Sequence, residues 1–326
     1  MLIFNILKKQ HYFFPKITSA LACCLLLVNT TRATAQKTLA EKLGYAKDAK
    51  LLIIHADDLG LSHTENTASI KAIDSGAVTS GSIMMPTPWV TEIASYAKKH
   101  NNTHDLGLHL VLTSEWKNYR WRPVAPKEKV ASLVDADGYF YKDCQATAKA
   151  EEVAAELRAQ IEMAYAMGIT PTHLDSHMGC LFWTSQEIFK VYIQLAHEYQ
   201  LPCLVDKSFA ALFDNTEVFN TFLNSQEVAV VVDTNLTISP EDYQKGTAAY
   251  YTKVLQSLQP GLTQILIHTA YDSDEMQAIT TEHPNWGVAW RQADFDFFTG
   301  EACLALLQKE NIKLVTWRAI AKALKK

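Results

Sequence analysis

Two adjacent carboxylates close an apolar run in LLIIHADDLG. Residues 51–54 read as a buried strand, Asp57 and Asp58 stand side by side at its carboxyl end, and Gly60 lets the chain turn. Like charges at the rim of a core are unfavourable unless something positive lies between them or a proton is shared. Three other apolar segments carry groups that could answer them. DLGLHLVLT holds His109, PTHLDSHMG holds His173, Asp175 and His177, and QILIHTAYD holds His268. One carboxylate with two imidazoles is a common protein ligand set for a catalytic divalent ion, with positions left open for water and substrate. One aspartate would bind the ion and its neighbour would stay free to move protons.

Each residue alone has a plainer reading. A histidine in an apolar strand is more often a hydrogen-bonded core residue than a ligand. "DSH" is a turn as often as a site, and Asp175 either braces a metal histidine from behind or ends a strand. His173 lies four residues before His177 and would share its strand face, which makes it an alternative for that ligand position. His55 and His63 flank the aspartates and could line a pocket. Arg291 could orient Asp57 through a charge-assisted hydrogen bond, or simply be a surface arginine on a helix.

Distant residues meet only if the fold brings their strand ends to one rim. Strands are expected over 51–56, 78–85, 106–112, 172–174, 203–206, 228–233, 264–269 and 313–316, with helical patterns between most of them. EEVAAELRAQIEMAYAMG is the clearest helix. Acids open it, Val153, Leu157, Ile161 and Ala164 form one stripe, and Gly168 stops it. Such βα repetition predicts an α/β domain with a parallel sheet, open or closed into a barrel, and ligands at the carboxyl ends of the strands. The connection over 114–150 is long and rich in aromatic residues. It is either a set of stacking surfaces for sugar rings or a hydrophobic lid.

The 326 residues, 48% hydrophobic, suffice for one large core, and a net charge of −5 without a basic block argues against nucleic acid as a partner. Residues 1–35 read as a secretory signal with cleavage after Ala35: lysines come first, then a short apolar core, then the small residues Ala33 and Ala35. A lipoprotein acylated at Cys23 ranks lower. The mature chain, 36–326, is then a single exported domain, placed in a periplasm. Of the four mature cysteines, Cys144, Cys180, Cys203 and Cys303, none forms a CxxC pair; export permits disulfides in three full pairings, while buried free thiols are the plain expectation, with packing the role of Cys180.

HADDLGLS, GLHLVLT, THLDSH and ILIHTAY resemble, in the same order, the motifs of the YdjC-like carbohydrate deacetylases, which include chitooligosaccharide deacetylases and are related in mechanism to NodB-type polysaccharide deacetylases. The resemblance runs from about Leu51 to the C-terminus. It implies a distorted (β/α) TIM-like barrel and a metal-dependent hydrolase that removes acetyl groups from N-acetylated amino sugars or oligosaccharides. Asp58 matches the metal-binding aspartate, His109 and His177 the metal histidines, Asp57 the general base and His268 the histidine proposed as general acid. One divalent ion is implied, zinc or magnesium first. The chain departs from many relatives at Gly179, where they carry a second histidine, and at Thr269–Ala270, where they read Pro-Gly. Both changes alter the pocket wall and bear on which glycan is accepted. The rivals are another metal hydrolase on a barrel, such as an amidohydrolase or esterase, and a non-catalytic glycan-binding protein.

Overall fold

The computed structural model describes residues 37–225 and 227–325. The expected secretory signal and Cys23 lie outside the described residues. The strands are β1 (Lys50–Leu59), β2 (Ser80–Ile83), β3 (Leu106–Leu110), β4 (Leu174–Ser176), β5 (Cys203–Asp206), β6 (Ala229–Val232), β7 (Thr234–Leu236), β8 (Gly261–Ile267) and β9 (Lys313–Leu314). All pairings between them are parallel, in the order β6-β5-β4-β3-β2-β1-β8-β7, with β9 on β1. Every expected strand is present. The addition is β7, which follows β6 after the single residue Asp233. β6 pairs with β5 and β7 pairs with β8, so one length of chain touches both ends of the ladder and curls the sheet into a barrel. The architecture is the (β/α) TIM-like barrel.

Apolar strands and helix stripes explain the layers. β1 is buried from Leu51 to Leu59 because it lies in the middle of the sheet with helices outside. The helix Ala150–Ala166 turns Val153, Leu157, Ile161 and Ala164 fully inward, as its spacing predicts. The same helix buries two polar side chains to a purpose. Glu156 accepts the backbone N–H groups of Val124 and Ala125 at 2.9 and 2.8 Å, and Gln160 bonds both backbone groups of Val111. The long connection is thereby fastened down. Trp116, Trp121 and Phe140 are buried within it, so these rings pack inward as a cover and offer no open face for stacking.

One cysteine expectation is overturned. Cys144 and Cys180 form a disulfide, while Cys203 and Cys303 are free and buried as expected. The cover contains only two 3₁₀ turns and an isolated bridge between Val134 and Phe140, so it has little regular structure of its own. A covalent tie to the segment after His177 supplies what a hydrogen-bond ladder does not. With its ends 36 positions apart in the chain, the crosslink is worth roughly 3–4 kcal/mol in the chain-entropy picture. The double variant Cys144→Ser/Cys180→Ser is expected to unfold at lower urea by about 2–4 kcal/mol of stability. An unchanged urea midpoint would show that the cover holds without the bond.

Candidate active site

A regular strand aims neighbouring side chains at opposite faces. Asp57 and Asp58 escape that rule because β1 does not end before them. It runs on to Leu59, and its register against β2 slips between Ala56 and Leu59. Asp58 sits in this irregularity at φ +67°, the left-handed region that aspartate tolerates better than branched residues. The result is two buried carboxylates at one rim, Asp57 at 5% and Asp58 at 2% exposure.

The two oxygens of Asp58 face different surroundings. Oδ2 accepts a 2.7 Å bond from Arg291 Nη2. Oδ1 is buried and has no hydrogen-bond partner, yet His177 Nδ1 lies 3.2 Å and His109 Nε2 3.5 Å from it. The far nitrogen of each imidazole is taken. His109 Nδ1–H donates to Asp175 Oδ1 at 2.7 Å, and His177 Nε2–H donates to Glu115 Oε2 at 3.1 Å. A ligating histidine usually has its outer N–H on a carboxylate or carbonyl, which fixes ring and tautomer. Asp58, His109 and His177 therefore fit a divalent cation: an oxygen with no hydrogen bond, two ring nitrogens facing it, and braces behind both rings.

His268 follows β8 and closes the other side. Its Nε2 is 4.0 Å from Asp57 Oδ2 and 3.9 Å from Asp58 Oδ2. Its side chain is 16% exposed, more than those of Asp57, Asp58, His109 and His177, so the mouth opens on its side. Asp57 Oδ1 is held below by His55 Nε2 at 3.1 Å and Ser82 Oγ at 3.4 Å, while Oδ2 points toward His109 and His268. All five residues singled out in the sequence thus converge.

The electrostatics follow from burial and partners. Burial alone would raise Asp58, but Arg291 and His177 more than reverse this and hold its carboxyl well below the usual range. Burial would likewise lower His177, but Glu115 and Asp58 more than offset this and carry it up to about 10. Burial dominates at His268 and pushes it down to about 4, which leaves that ring neutral.

Four readings of lesser residues are corrected or resolved. Arg291 is neither a surface group nor a partner of Asp57. It is fully buried and holds Asp58, with Glu65 Oε2 2.8 Å from Nη1 and the Trp286 carbonyl on Nε. His173 does not share a face with His177, because β4 ends at Ser176 and His177 opens a turn. The His173 ring stacks on Trp317, with Nδ1 on Thr172 Oγ1 and Gly107 beside it, where any Cβ would come within 2.5–2.6 Å of its ring atoms. Asp175 is a brace, placed beside His109 by the β3–β4 register. His63 lies outside the cluster, bonded to Glu92. Glu115 and Glu65 were missed. The first is one of many acids in an irregular loop, and the second faces inward from a helix whose pattern does not mark it.

Arg291 is the first countercharge of the buried Asp58, so Arg291→Met leaves that carboxylate with His177 as its main remaining support. The expected cost is roughly 3–5 kcal/mol in urea unfolding of the metal-free protein. A loss below about 1 kcal/mol would mean that His177 alone is enough to hold the charge of Asp58.

The family model described as "YdjC-like protein" matches residues 51–309. The chain is 33% identical over 293 residues to a carbohydrate deacetylase of Thermus thermophilus, covering 88% of this chain and 99% of that one. It is 27% identical over 271 residues to a carbohydrate deacetylase of Thermoanaerobacter pseudethanolicus, covering 82% and 98%. A crystal structure from Enterococcus faecalis, solved as a candidate cellobiose-phosphate cleavage protein, superimposes with a TM-score of 0.67 at 25% identity, covering 83% of this chain and 99% of that one.

Proposed function

The chain belongs to the YdjC-like family, and on that premise we propose that it is a metal-dependent carbohydrate deacetylase that hydrolyses the acetamido group of N-acetylated amino sugars or their oligosaccharides. One observation carries the reading. A buried Asp58 oxygen without a hydrogen bond faces two braced imidazoles, and a second carboxylate stands beside it with Oδ2 facing His109 and His268 at 3.9 and 4.0 Å.

Asp58, His109 and His177 would hold the ion, zinc or magnesium. When bound, it supplies a Lewis acid that polarises the amide carbonyl and can bring the pKa of water from 15.7 to about 7. Asp57 is built to take a proton. His55 and Ser82 hold its Oδ1, so Oδ2 keeps a fixed aim into the space between His109 and His268. As the water's O–H bond breaks, the proton passes to Oδ2 and the new C–O bond forms. The amine cannot leave as an anion, so the C–N bond breaks only as its nitrogen gains a proton. His268 faces the same space from the mouth. Because the resting ring is neutral, the proton it delivers must first be acquired within the reaction, and Asp57 Oδ2 at 4.0 Å is its source. Asp294 fixes the approach by accepting the backbone N–H of His268 at 3.0 Å and the Tyr251 hydroxyl at 2.9 Å.

The Cys144–Cys180 disulfide supports an oxidising compartment, in line with the export suggested by residues 1–35. Among the described residues no helix is long and apolar enough to cross a membrane.

Acetate release from N-acetylglucosamine oligomers tests the function. Asp57→Asn and His268→Ala are each expected to lower kcat by about 10²–10⁴-fold. EDTA should abolish turnover and added zinc restore it. Wild-type rates in Asp57→Asn would refute the assigned base, and EDTA-insensitive turnover would refute the metal.

A further inference from the structure

The two imidazoles of the centre are held by different means. His109 lies within β3, and its brace Asp175 lies beside it in β4, so the sheet ladder fixes both. His177 has no such frame. It follows the three-residue β4 and opens a turn in which Met178 and Gly179 take φ +51° and +66°. Its Nδ1 side faces Asp58 and the His109 ring, 5.2 Å away and edge-on, and the remaining groups against its ring come from the cover. Glu115 Oε2 accepts Nε2–H at 3.1 Å, and the Trp121 ring lies edge-on at 6.3 Å.

We infer that Glu115 is a positioning residue for His177: its carboxylate holds Nε2–H, turns Nδ1 toward Asp58, and so sets the affinity of the centre for its cation. This rests on the metal centre proposed above. The next residue points the same way. The Trp116 ring lies under the Arg291 guanidinium at 5.5 Å, and Arg291 grips Asp58. Two consecutive cover residues therefore reach one ligand directly and another through its holder. Their own place is fixed. Ser114 donates its N–H to the Tyr141 carbonyl at 2.8 Å and accepts the Trp121 N–H on Oγ at 3.0 Å. At its far end the cover is bonded through Cys144 to Cys180, in the short helix that follows the His177 turn. The cover is thus attached to the His177 segment at both ends, and its order and cation affinity are coupled.

Zinc titration of the EDTA-stripped full chain by calorimetry tests this, beside the visible spectrum of the cobalt form. Glu115→Ala is expected to weaken zinc binding by about 10–100-fold, a usual loss for an outer carboxylate. Glu115→Gln keeps an acceptor without the charge and should fall between Ala and wild type, with a shifted cobalt band and an unchanged cooperative unfolding transition. If Glu115→Ala does not fold, Glu115→Gln carries the comparison. Zinc affinity equal to wild type in the variants overturns the role of Glu115. A loss beyond about 1,000-fold would make Glu115 a direct ligand and overturn it differently. A wild-type chain that takes up no zinc or cobalt removes the metal centre itself, and the role of Glu115 with it.

Discussion

Burying two adjacent carboxylates is the constraint from which the rest of the site follows. Asp57 and Asp58 repel each other and lose their water, so each needs a counterpart with a fixed address. Arg291 answers one oxygen of Asp58 and is itself lodged over the Trp116 ring and against Glu65. Burial pushes Glu65 up to about 8, so at neutral pH the guanidinium's charge serves Asp58 first. The remaining oxygen, Oδ1, has no hydrogen bond and faces the His109 and His177 rings. Asp57 is answered from below by His55, whose Nε2 also lies 2.8 Å from Asp175 Oδ2. The proposed base and the brace of a proposed metal ligand thus share one imidazole.

The barrel makes this arrangement inexpensive to hold. Parallel register sets His109 beside Asp175 without a loop, and the slip in β1 brings both aspartates to the same side. His177 and His268 are outside the strands, and each is pinned by an acid from elsewhere: Glu115 for one, Asp294 for the other. Function at strand ends, with stiff members on the sheet and adjustable ones on loops, is the usual division of labour in such barrels.

Much of this was legible in the sequence. Apolar runs and helix stripes locate all eight expected strands and the helix Ala150–Ala166, because burial leaves a periodic trace. Asp57, Asp58, His109, His173, Asp175, His177 and His268 stand out because polar residues inside apolar runs are anomalous, and the resemblance to the YdjC-like motifs picks Asp57, Asp58, His109, His177 and His268 from among them. What stayed hidden depends on backbone detail or on contacts between distant segments. Nothing in HADDLGLS announces that strand pairing continues past the aspartates with a slip, or that Asp58 turns left-handed. Spacing put His173 and His177 on one face, because where β4 stops is not a matter of composition. The burial of Arg291 and the contact of Glu115 are long-range facts with no local pattern. The disulfide needs the distance between Cys144 and Cys180, which a sequence does not carry.

The central claim is a single cation shared by Asp58, His109 and His177. The most direct measurement is an anomalous-difference map from crystals of the chain grown with zinc. The account expects one strong peak bounded by Asp58 Oδ1, His109 Nε2 and His177 Nδ1, each about 2.0–2.2 Å away. A peak seated instead among His55, His173 and Asp175, or no peak at saturating zinc, would contradict it.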